Sequence, residues 1–366
     1  MAYAPLFNPI KMGNQTFKNR VFMAPLTRLR SIEPSDMPTI LAAEYYSQRA
    51  GSGLIITEAT QVSLQAKGYA GAPGLHNEEQ VAAWKVITDA VHAKGGKIVV
   101  QLWHTGLVSH NSVQPDNKAP ISASDVDVGV RTTLRDDQGA PIRVEATTPR
   151  MASLEEIKQV VADFAQATQY AKQAGFDGIE IHGAHGYLLH QFWAEHTNKR
   201  TDNYGGSREN RARLMLEVID ACVAAWDQDH VGIRISPLGS FNNVDVGYNE
   251  DEAIWLVEQI NSRKLMYLHM SEPDWAGGTP YSEAFRQKLR AAFNNPIVAA
   301  GGYSAQKAQD LIEAGYIDAV AFGRDYIANP DLAERLQKDA ALNEQHPQTF
   351  YGGGLQGYID YPFMSQ

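Results

Sequence analysis

Cysteine is nearly absent from this chain of 366 residues, positive charge is in deficit, and long apolar runs are missing. The single cysteine, Cys222, excludes an intrachain disulfide and any cysteine-rich zinc or iron–sulfur site, and it favours a reducing compartment. Its place within LEVIDACVAAW predicts a packed helix face. No apolar stretch approaches the length of a membrane span, and the N-terminus lacks the pattern of a signal peptide. We therefore expect no membrane association.

The charge balance is acidic, because 32 basic and 42 acidic side chains give a net charge of −10. Broad nucleic-acid binding requires a basic face that displaces counterions, so we expect no nucleic-acid partner. The hydrophobic fraction of 44% is ordinary for a globular protein and supplies a large core. These features predict a soluble, cytoplasmic protein that is a monomer or a weak homo-oligomer.

Eight short, β-branched apolar runs recur along the chain. Near-continuous runs of this kind are typical of parallel strands that are covered on both faces. They span residues 21–27, 54–60, 97–103, 178–184, 231–237, 267–273, 296–302 and 318–324. Helical patterns separate them, so the sequence predicts an α/β fold, a single (β/α)8 TIM barrel. An open, doubly wound sheet is the alternative.

Two of the helical patterns carry clear start and stop signals. The first begins with Asn77 and Gln80 at the spacing of a capping box and stops at Gly95, with Val81, Trp84, Ile87 and Val91 on its apolar face. The second begins with Ser153 and Glu156 and stops at Gly175, with Ile157, Val161 and Phe164 facing inward.

One connection, residues 104–152, is much longer than the others. Two extended runs flank the turn-forming DDQG within it, which predicts a β-hairpin inserted between strand 3 and helix 3. At this position a hairpin would lie over the barrel mouth as a lid. We expect residues 1–366 to form one domain. GGGLQG (352–357) has the spacing of a dinucleotide fingerprint, but no βαβ unit can follow it so near the C-terminus.

Barrel enzymes carry their chemistry at the C-terminal ends of the strands, where the βα loops converge. Polar groups at many such ends are costly unless a ligand pairs with them. Here the ends carry Thr27, Thr60, Gln101, His182, Arg234, Ser271, Gly301, Gly302, Gly323 and Arg324. The last two ends combine glycine N–H groups with an arginine, which favours a phosphate site. Two tight turns beside a surface arginine are the alternative.

The segment IEIHGAHGYLLHQF, residues 179–192, raises a separate question. It places His182, His185 and Tyr187 directly after the fourth strand, and spacing alone leaves open whether the histidines hold a metal, fill a core or bind a substrate. The other histidines that we considered, His92, His104, His110 and His190, are expected to be structural.

Six motifs together resemble the Old Yellow Enzyme family of FMN-dependent ene-reductases: FMAPLTR, QLWH, HGAHGYLLHQF, RTDNYGGSRENRARL, YLHMSEPDW and AFGRDYIANPDL. The resemblance extends from about Leu6 to Pro362, and within the family the motifs resemble those of N-ethylmaleimide reductase and pentaerythritol tetranitrate reductase. It implies non-covalent FMN, with NADPH or NADH as hydride donor in a ping-pong cycle. The implied substrates are α,β-unsaturated carbonyls, maleimides and nitroalkenes, with nitrate esters as a further class and phenols as inhibitors.

The resemblance also implies where FMN binds. Thr27 is expected to hydrogen-bond flavin O4, Gln101 the pyrimidine edge, and Arg234 the region of N1 and O2. The remaining cofactor-binding residues would contact the ring system or the phosphate, and they are Pro25, Leu26, Ala59, Gly301, Gly302, Gly323 and Arg324.

For the substrate, the resemblance implies that His182 and His185 donate to a carbonyl or nitro oxygen and that Tyr187 donates the proton. The chemistry agrees, because hydride addition builds negative charge on that oxygen and a tyrosine is protonated at neutral pH. The space above the flavin would be shaped by Tyr69, Trp103, Asn242, Trp275 and Tyr351.

Other classes of protein have different requirements. A metal-dependent barrel hydrolase needs a His-x-His on the first strand, where this chain has APLT, and His269 lies in mid-strand, so we expect no metal. A flavin barrel that acts on RNA needs a basic face and a catalytic cysteine on a βα loop. A non-catalytic binding module would not need the whole set of catalytic positions.

The chain departs from its relatives at three places. Leu107 stands where arginine is common, Asn242 stands where glutamine is common, and residues 193–196 read WAEH in place of a Ser/Pro-type loop. These departures put the substrate preference in doubt, and not the reaction.

Overall fold

The computed structural model describes residues 2–364. Eight parallel strands form its centre, and they are β1 (Val21–Met23), β2 (Ile55–Ile56), β3 (Ile98–Trp103), β4 (Ile179–Gly183), β5 (Val231–Ile235), β6 (Tyr267–Ser271), β7 (Ile297–Ala300) and β8 (Ala319–Phe322). Each strand pairs with the next, and β8 pairs with β1, so the sheet closes into a barrel. The predicted barrel fold is confirmed. Each strand is shorter than its predicted run because the flanking residues leave the sheet at the loops.

Helices pack around the barrel. In the described part of the chain they are α1 (Ile40–Gln48), α2 (Glu78–Ala93), α3 (Leu154–Gln173), α4 (Leu188–Trp193), α5 (Arg208–Ala225), α6 (Glu250–Asn261), α7 (Glu283–Ala292), α8 (Ala305–Glu313), α9 (Arg324–Ala328) and α10 (Leu332–Lys338). Short 3-10 helices cover Ala4–Phe7, Asn111–Val113, Pro115–Asn117, Gln228–His230, Pro273–Ala276 and Pro347–Thr349.

The two predicted helix starts differ in detail. Ser153 and Glu156 form a complete capping box at α3. At α2 the Asn77 side chain accepts from the Gln80 N–H, but the Gln80 side chain accepts from the His76 N–H, so only half of the predicted box exists. The apolar face of α2 is buried as predicted, whereas in α3 Val160 is buried and Val161 only partly so.

The bottom of the barrel is closed by an antiparallel hairpin, Ile10–Met12 with Gln15–Phe17. Its Met12 and Phe17 side chains are fully buried against Phe22 and Val99 in a core cluster inside the barrel. A larger core cluster lies between the strands and the helices and includes Cys222 of α5, which is buried as predicted. A barrel that is packed below leaves its open end at the C-terminal ends of the strands.

The long connection before α3 contains the predicted hairpin, Arg131–Arg135 paired with Pro141–Glu145, which we call the lid hairpin. It lies against the loop after β2, where the Ala70 N–H donates to the Thr133 carbonyl at 2.9 Å. Its Arg135 donates to the Leu29 carbonyl in the loop after β1 at 2.6 Å. The lid hairpin therefore contacts two loops at the open end of the barrel.

Smaller strand pairs complete the fold. Ile121–Ser122 pairs with Arg150–Met151, Thr60–Gln61 runs beside the end of β3, and Ser240–Phe241 pairs with Val244–Asp245. Among the described residues we find no helix that is long and apolar enough to pass through a membrane.

Candidate active site

The open end of the barrel encloses a cavity of about 280 Å³. Most of the predicted site residues line it, namely Pro25, Leu26, Thr27, Ala59, Gln101, Trp103, His182, His185, Tyr187, Arg234, Trp275, Gly301, Gly323, Arg324 and Tyr351. Five further lining residues were not predicted, and they are Ala24, Ala300, Ala321, Ile327 and Phe350. Four of these, Ala24, Ala300, Ala321 and Ile327, lie at or near the ends of strands and helices. Their side chains have no polar group, so no sequence pattern marks them as site residues.

Three predicted site residues lie just outside this lining. Tyr69 packs behind it, with its ring stacked on Trp103 at 5.5 Å. The Asn242 amide donates to the backbone carbonyl of His185 at 2.9 Å, and its side chain also lies within hydrogen-bonding reach of Tyr187. Gly302 directs its N–H to the Asp274 carboxylate at 2.9 Å, so this donor already has a partner that the sequence did not indicate.

His182, His185 and Tyr187 form a compact group of rings. The centroid of the His182 ring lies 5.3 Å from that of His185 and 4.9 Å from that of Tyr187, and both pairs meet edge to face. The Nδ1 atom of His182 accepts from the Ala184 N–H at 3.3 Å. A neutral imidazole that accepts at Nδ1 carries its proton on Nε2, so His182 is a donor at that atom.

His185 is held by its backbone. Its φ angle of 59° lies in the left-handed region, which costs a non-glycine residue about 1–3 kcal/mol. Its N–H donates to Ser236 Oγ at 2.9 Å, and its carbonyl accepts from Asn242. Asn242 and Asn243 both have positive φ between two paired strands, as the tight hairpin turn requires. The Asn-Asn turn thus fixes the position of a site histidine.

Burial sets the protonation states of this group. Burial, and then the positive charge of Arg234, holds the pKa values of His182 and His185 well below the ordinary value. Burial, together with the nearby Tyr69, raises the pKa of Tyr187 well above its ordinary value. At neutral pH the two imidazoles are therefore neutral and the Tyr187 phenol is protonated.

Aromatic rings form the wall beside these groups. Trp103 meets the Tyr187 ring edge to face at 4.7 Å and is stacked against His182 at 6.1 Å. The Tyr69 and Tyr187 hydroxyl oxygens lie 3.3 Å apart. Leu107, one of the departures from the family pattern, is buried in the same cluster as Tyr69 and Trp103.

Below the cavity lies a layer of buried polar side chains on β3 to β6, which we call the floor: Gln101, Glu180, Arg234, Tyr267 and His269. Of these, Gln101 and Arg234 line the cavity itself. Glu180 lies at the centre of the floor and accepts from three of the other side chains. Burial lowers the pKa of Arg234 to about 10, which leaves it charged at neutral pH. The sequence reasoning missed Glu180, although a carboxylate inside an apolar strand is a usable signal because a buried charge requires partners.

The rim of the cavity consists of three exposed lining residues, Trp275, Arg324 and Tyr351. Arg324 begins α9, next to Gly323 at the end of β8. Gly301 has a φ of 158°, and a side chain there would collide with the Asp274 carboxylate. Lys307 Nζ lies 3.2 Å from the Asp274 carboxylate. The loop that carries Gly301 and Gly302 therefore lies beside an ion pair between two protein side chains.

The C-terminal segment supplies Phe350 and Tyr351 to the cavity, and the loop after β1 holds that segment in place. Arg28 donates to the carbonyls of Phe350 and Gly357 at 2.9 and 2.7 Å. Arg30 binds four carbonyls of the same segment, at residues 349, 350, 354 and 356. We call this contact the arginine clamp. The glycine-rich stretch 352–357 is part of it and lies in no βαβ unit.

The remaining departures and histidines lie away from the cavity lining. Trp193 is buried and stacks on Trp255 at 6.2 Å, Ala194 is fully buried, and Glu195 and His196 are exposed. His190 accepts from the Gly186 N–H at 2.8 Å, and His92 pairs with Asp177 at 2.8 Å. His104 accepts from the Gly106 N–H, and His110 caps the short helix at Asn111–Val113. The geometry agrees with a structural role for these four histidines.

The cavity has features that suit a flavin. The Nε of Arg234 and the indole N–H of Trp103 are buried without a hydrogen-bond partner among the described residues. Buried donors are almost always paired in folded proteins, so both indicate a ligand that carries acceptor atoms. At the other end, the exposed guanidinium of Arg324 has no side-chain partner within residues 2–364 and suits a phosphate.

Comparisons with known proteins agree with this geometry. Residues 5–343 match the model of the NADH:flavin oxidoreductase / NADH oxidase family. Putative 12-oxophytodienoate reductase 4 of Oryza sativa subsp. japonica is 44% identical over 373 residues, covering 100% of this chain and 94% of the relative.

Two solved structures are also similar. Morphinone reductase in complex with tetrahydroNAD has a TM-score of 0.94 and 45% identity, with 98% of each chain covered. The old yellow enzyme homologue from Zymomonas mobilis has a TM-score of 0.91 and 36% identity, with 98% of this chain and 99% of that chain covered.

These matches establish the cofactor class. FMN is the flavin of the family, and a reduced nicotinamide is its hydride donor. The unpaired donors of Arg234 and Trp103 and the exposed Arg324 all line the cavity. The chain therefore belongs to the NADH:flavin oxidoreductase / NADH oxidase family, as an FMN-dependent oxidoreductase of Old Yellow Enzyme type.

Proposed function

We propose that this protein is an NAD(P)H-dependent ene-reductase that reduces the C=C bond of α,β-unsaturated carbonyls, maleimides and nitroalkenes. Nitro compounds and nitrate esters form a second substrate class that the same donors could bind. The observation that carries the proposal is the group of His182, His185 and Tyr187 lining one cavity, with two neutral imidazoles and a protonated phenol. Bound FMN supplies the hydride, which it has received from the reduced nicotinamide.

The two histidines act on the activating oxygen of the substrate. Negative charge develops on that oxygen as the hydride adds to the alkene, so preorganised donors lower the barrier. The proton of His182 is on Nε2, because the Ala184 N–H occupies Nδ1. His185 is positioned by Ser236, Asn242 and Ser271, and its Nε2 lies 2.8 Å from Ser271 Oγ.

Tyr187 supplies the proton that completes the reduction. A weak acid that is protonated at neutral pH keeps its proton until the substrate accepts it during the reaction. The hydroxyl of Tyr69, 3.3 Å away, acts together with burial to raise the pKa of Tyr187, so the phenol keeps its proton until the substrate takes it. The rings of Trp103 and Tyr69 keep this side of the cavity apolar, which limits competition from water.

The alternative functions find less support. Within residues 2–364 no group of three or more His, Cys, Asp or Glu side chains is placed to hold a metal. Cys222 is buried in α5 and its pKa is raised to about 12 by burial, so it is no match for the loop cysteine of an RNA-modifying flavin barrel. We further propose that residues 1–366 act as one domain in the cytoplasm, as a monomer or weak homo-oligomer.

A titration with para-substituted phenols tests the proposal. Phenols mimic the charge that develops on the substrate oxygen, so they should bind as phenolates with pKa values below those in water. Each of His182→Ala and His185→Ala should weaken binding by about 1.5–3 kcal/mol, or roughly ten- to 150-fold. The double variant need not be additive, because both donors share one acceptor.

The titration is read from the long-wavelength absorbance that a phenolate stacked on oxidised FMN produces. His190→Gln, which alters a buried histidine outside the cavity lining, serves as the matched control and should leave the affinity unchanged. Unchanged phenol affinity in both alanine variants, or loss of binding on addition of a chelator, would show that the histidines have another role.

A further inference from the structure

Glu180 is a buried carboxylate that the proposed reaction does not use. It lies in the middle of β4, is 0% exposed, and accepts hydrogen bonds at both oxygens. Oε1 accepts from Gln101 Nε2 at 2.7 Å, and Oε2 accepts from the Tyr267 hydroxyl at 3.0 Å and from His269 Nδ1 at 2.8 Å. Three donors converge on one anion beneath the cavity.

This arrangement depends on the register of the barrel. Glu180 lies opposite Gln101 on β3 and opposite Gly232 on β5. Gly232 has no side chain, and a Cβ atom there would lie 2.5 Å from Cζ of Tyr267. The Tyr267 ring of β6 therefore fills the space over β5 and reaches the carboxylate. The layer is specific, since any larger residue at position 232 would displace Tyr267.

Glu180 is ionised in this setting. Burial alone would raise its pKa, but His269, Arg234 and Gln101 outweigh that effect and hold the pKa below the ordinary value. An ionised carboxylate accepts hydrogen bonds and cannot donate them. Either oxygen of Glu180 therefore repels the amide oxygen of Gln101 and binds the amide NH2.

The orientation of Gln101 follows from this contact. An amide side chain offers a donor end and an acceptor end, and in glutamine the two are almost equal in shape. Because Nε2 is bound to Glu180, the remaining acceptor of Gln101 is Oε1, and Gln101 lines the cavity. The pyrimidine ring of a flavin carries an N3–H donor, whose complement is an acceptor of this kind.

We propose that Glu180 is a positioning residue that fixes the Gln101 amide so that it presents its oxygen to the flavin N3–H. The proposal concerns flavin binding and rests on the cofactor class of the family, so it stands independently of the reaction proposed above. Glu180→Gln removes the fixed orientation, because a glutamine at position 180 can donate its own NH2 to Gln101 Oε1.

The test measures the affinity of the apoprotein for FMN and for 3-methyl-FMN, which lacks the N3–H, by quenching of flavin fluorescence. The steric cost of the methyl group is present in every variant, so a change in the ratio of the two dissociation constants reports the hydrogen bond. In Glu180→Gln the preference for FMN should fall by about three- to tenfold, the scale of one neutral hydrogen bond. Tyr267→Phe removes a partner of Glu180 without touching Gln101 and should keep the parent ratio.

An exchange variant keeps the proposal testable if Glu180→Gln does not fold. Glu180→Gln combined with Gln101→Glu retains one buried carboxylate and one amide, with the amide donating to residue 101. Its carboxylate at position 101 still presents an acceptor to N3–H, so the preference for FMN should be restored. Equal weakening of both flavins in Glu180→Gln, or an exchange variant without the preference, would overturn the proposal.

Discussion

Gln101, Glu180 and His269 at the floor of the cavity are buried and hydrogen-bonded to one another, whereas Trp275 and Tyr351 at the rim are 46% and 55% exposed. The floor residues lie on strands, whereas the rim residues lie in the connecting loops, Trp275 in the short 3-10 helix Pro273–Ala276 and Tyr351 just after Pro347–Thr349. Polar groups that lie on strands and have fixed hydrogen-bond partners suit a ligand that is the same in every turnover. That ligand is the cofactor. Exposed aromatic side chains on loops can adjust to several substrates, so the difference separates cofactor binding from substrate choice.

The largest effect on a reaction rate is expected when two tyrosine hydroxyls of the same cavity are compared, that of Tyr187 inside it and that of Tyr351 at its rim. Tyr187→Phe should slow alkene reduction by about 10²–10⁴-fold while leaving flavin reduction by NAD(P)H almost unchanged, because only alkene reduction needs the proton. Tyr351→Phe removes a hydroxyl from the rim and should change either step by less than about twofold. Stopped-flow measurement of the two half-reactions decides, and equal slowing of both in Tyr187→Phe would show that it shapes a shared pocket.

The next prediction tests whether Arg324, which lies at the rim, takes part in cofactor binding. Arg324→Ala should weaken FMN binding by about 1.5–3 kcal/mol, or roughly ten- to 150-fold, because a charge-assisted hydrogen bond to the phosphate is lost. Arg324→Lys keeps the charge and should lose less. Riboflavin, which has no phosphate, is the control ligand, and its affinity should be equal in all three proteins. A parallel loss of riboflavin binding would place the defect elsewhere.

A third prediction extends the contrast between buried and exposed groups to histidines. Burial lowers the pKa of His190 to about 4 and that of His104 to about 3. As pH falls below about 6.5 the unfolded chain gains protons first, so each histidine should reduce the free energy of unfolding by about 1.4 kcal/mol per pH unit. The loss continues to about pH 4 for His190 and about pH 3 for His104.

Urea unfolding at saturating FMN measures that slope. His190→Gln should make that slope shallower by the contribution of one histidine. A slope that is equal in the parent protein and the variant would mean that burial of His190 does not limit acid stability.

The smallest effect on stability is expected at the rim. Trp275→Phe should alter the free energy of unfolding by about 0.5 kcal/mol at most, because the side chain is half exposed and a phenylalanine ring can keep its contacts with the His185 and Phe241 rings, losing only the hydrogen bond to the Ser271 hydroxyl. The KM values of large and small enones should nevertheless shift in different directions, and FMN affinity should not change. A loss of unfolding free energy as large as that expected when a buried residue is substituted would contradict the distinction between rim and floor.

Much of the fold could be predicted because its signals are local. The apolar runs, the capping box at Ser153 and the turn-forming DDQG each lie within a few residues of the structure that they specify. The lining of the cavity followed, since parallel strands in a barrel bring all their C-terminal ends to one face. The residues of the family motifs therefore meet in space although they are spread from position 25 to position 351.

What could not be predicted depends on contacts between distant residues. Glu180 lies 79 residues from Gln101 and 89 from His269, so its partners are defined only by strand register. Asn242 was expected to shape the space above the flavin, and no sequence pattern predicted that a turn with two positive φ angles would place its amide on the His185 carbonyl. Gly302 was expected at the phosphate, and its N–H is taken by Asp274, whose loop position no sequence pattern revealed.

The arginine clamp has a consequence for the order of events during synthesis on the ribosome. Arg28 and Arg30 emerge early, but the carbonyls that they bind, and the cavity wall at Phe350 and Tyr351, emerge more than 300 residues later. A nascent chain that has released the last barrel strand but not residue 357 can close its barrel but lacks the C-terminal wall of the cavity. We therefore expect chains stalled before this segment to retain flavin more weakly than fully translated ones.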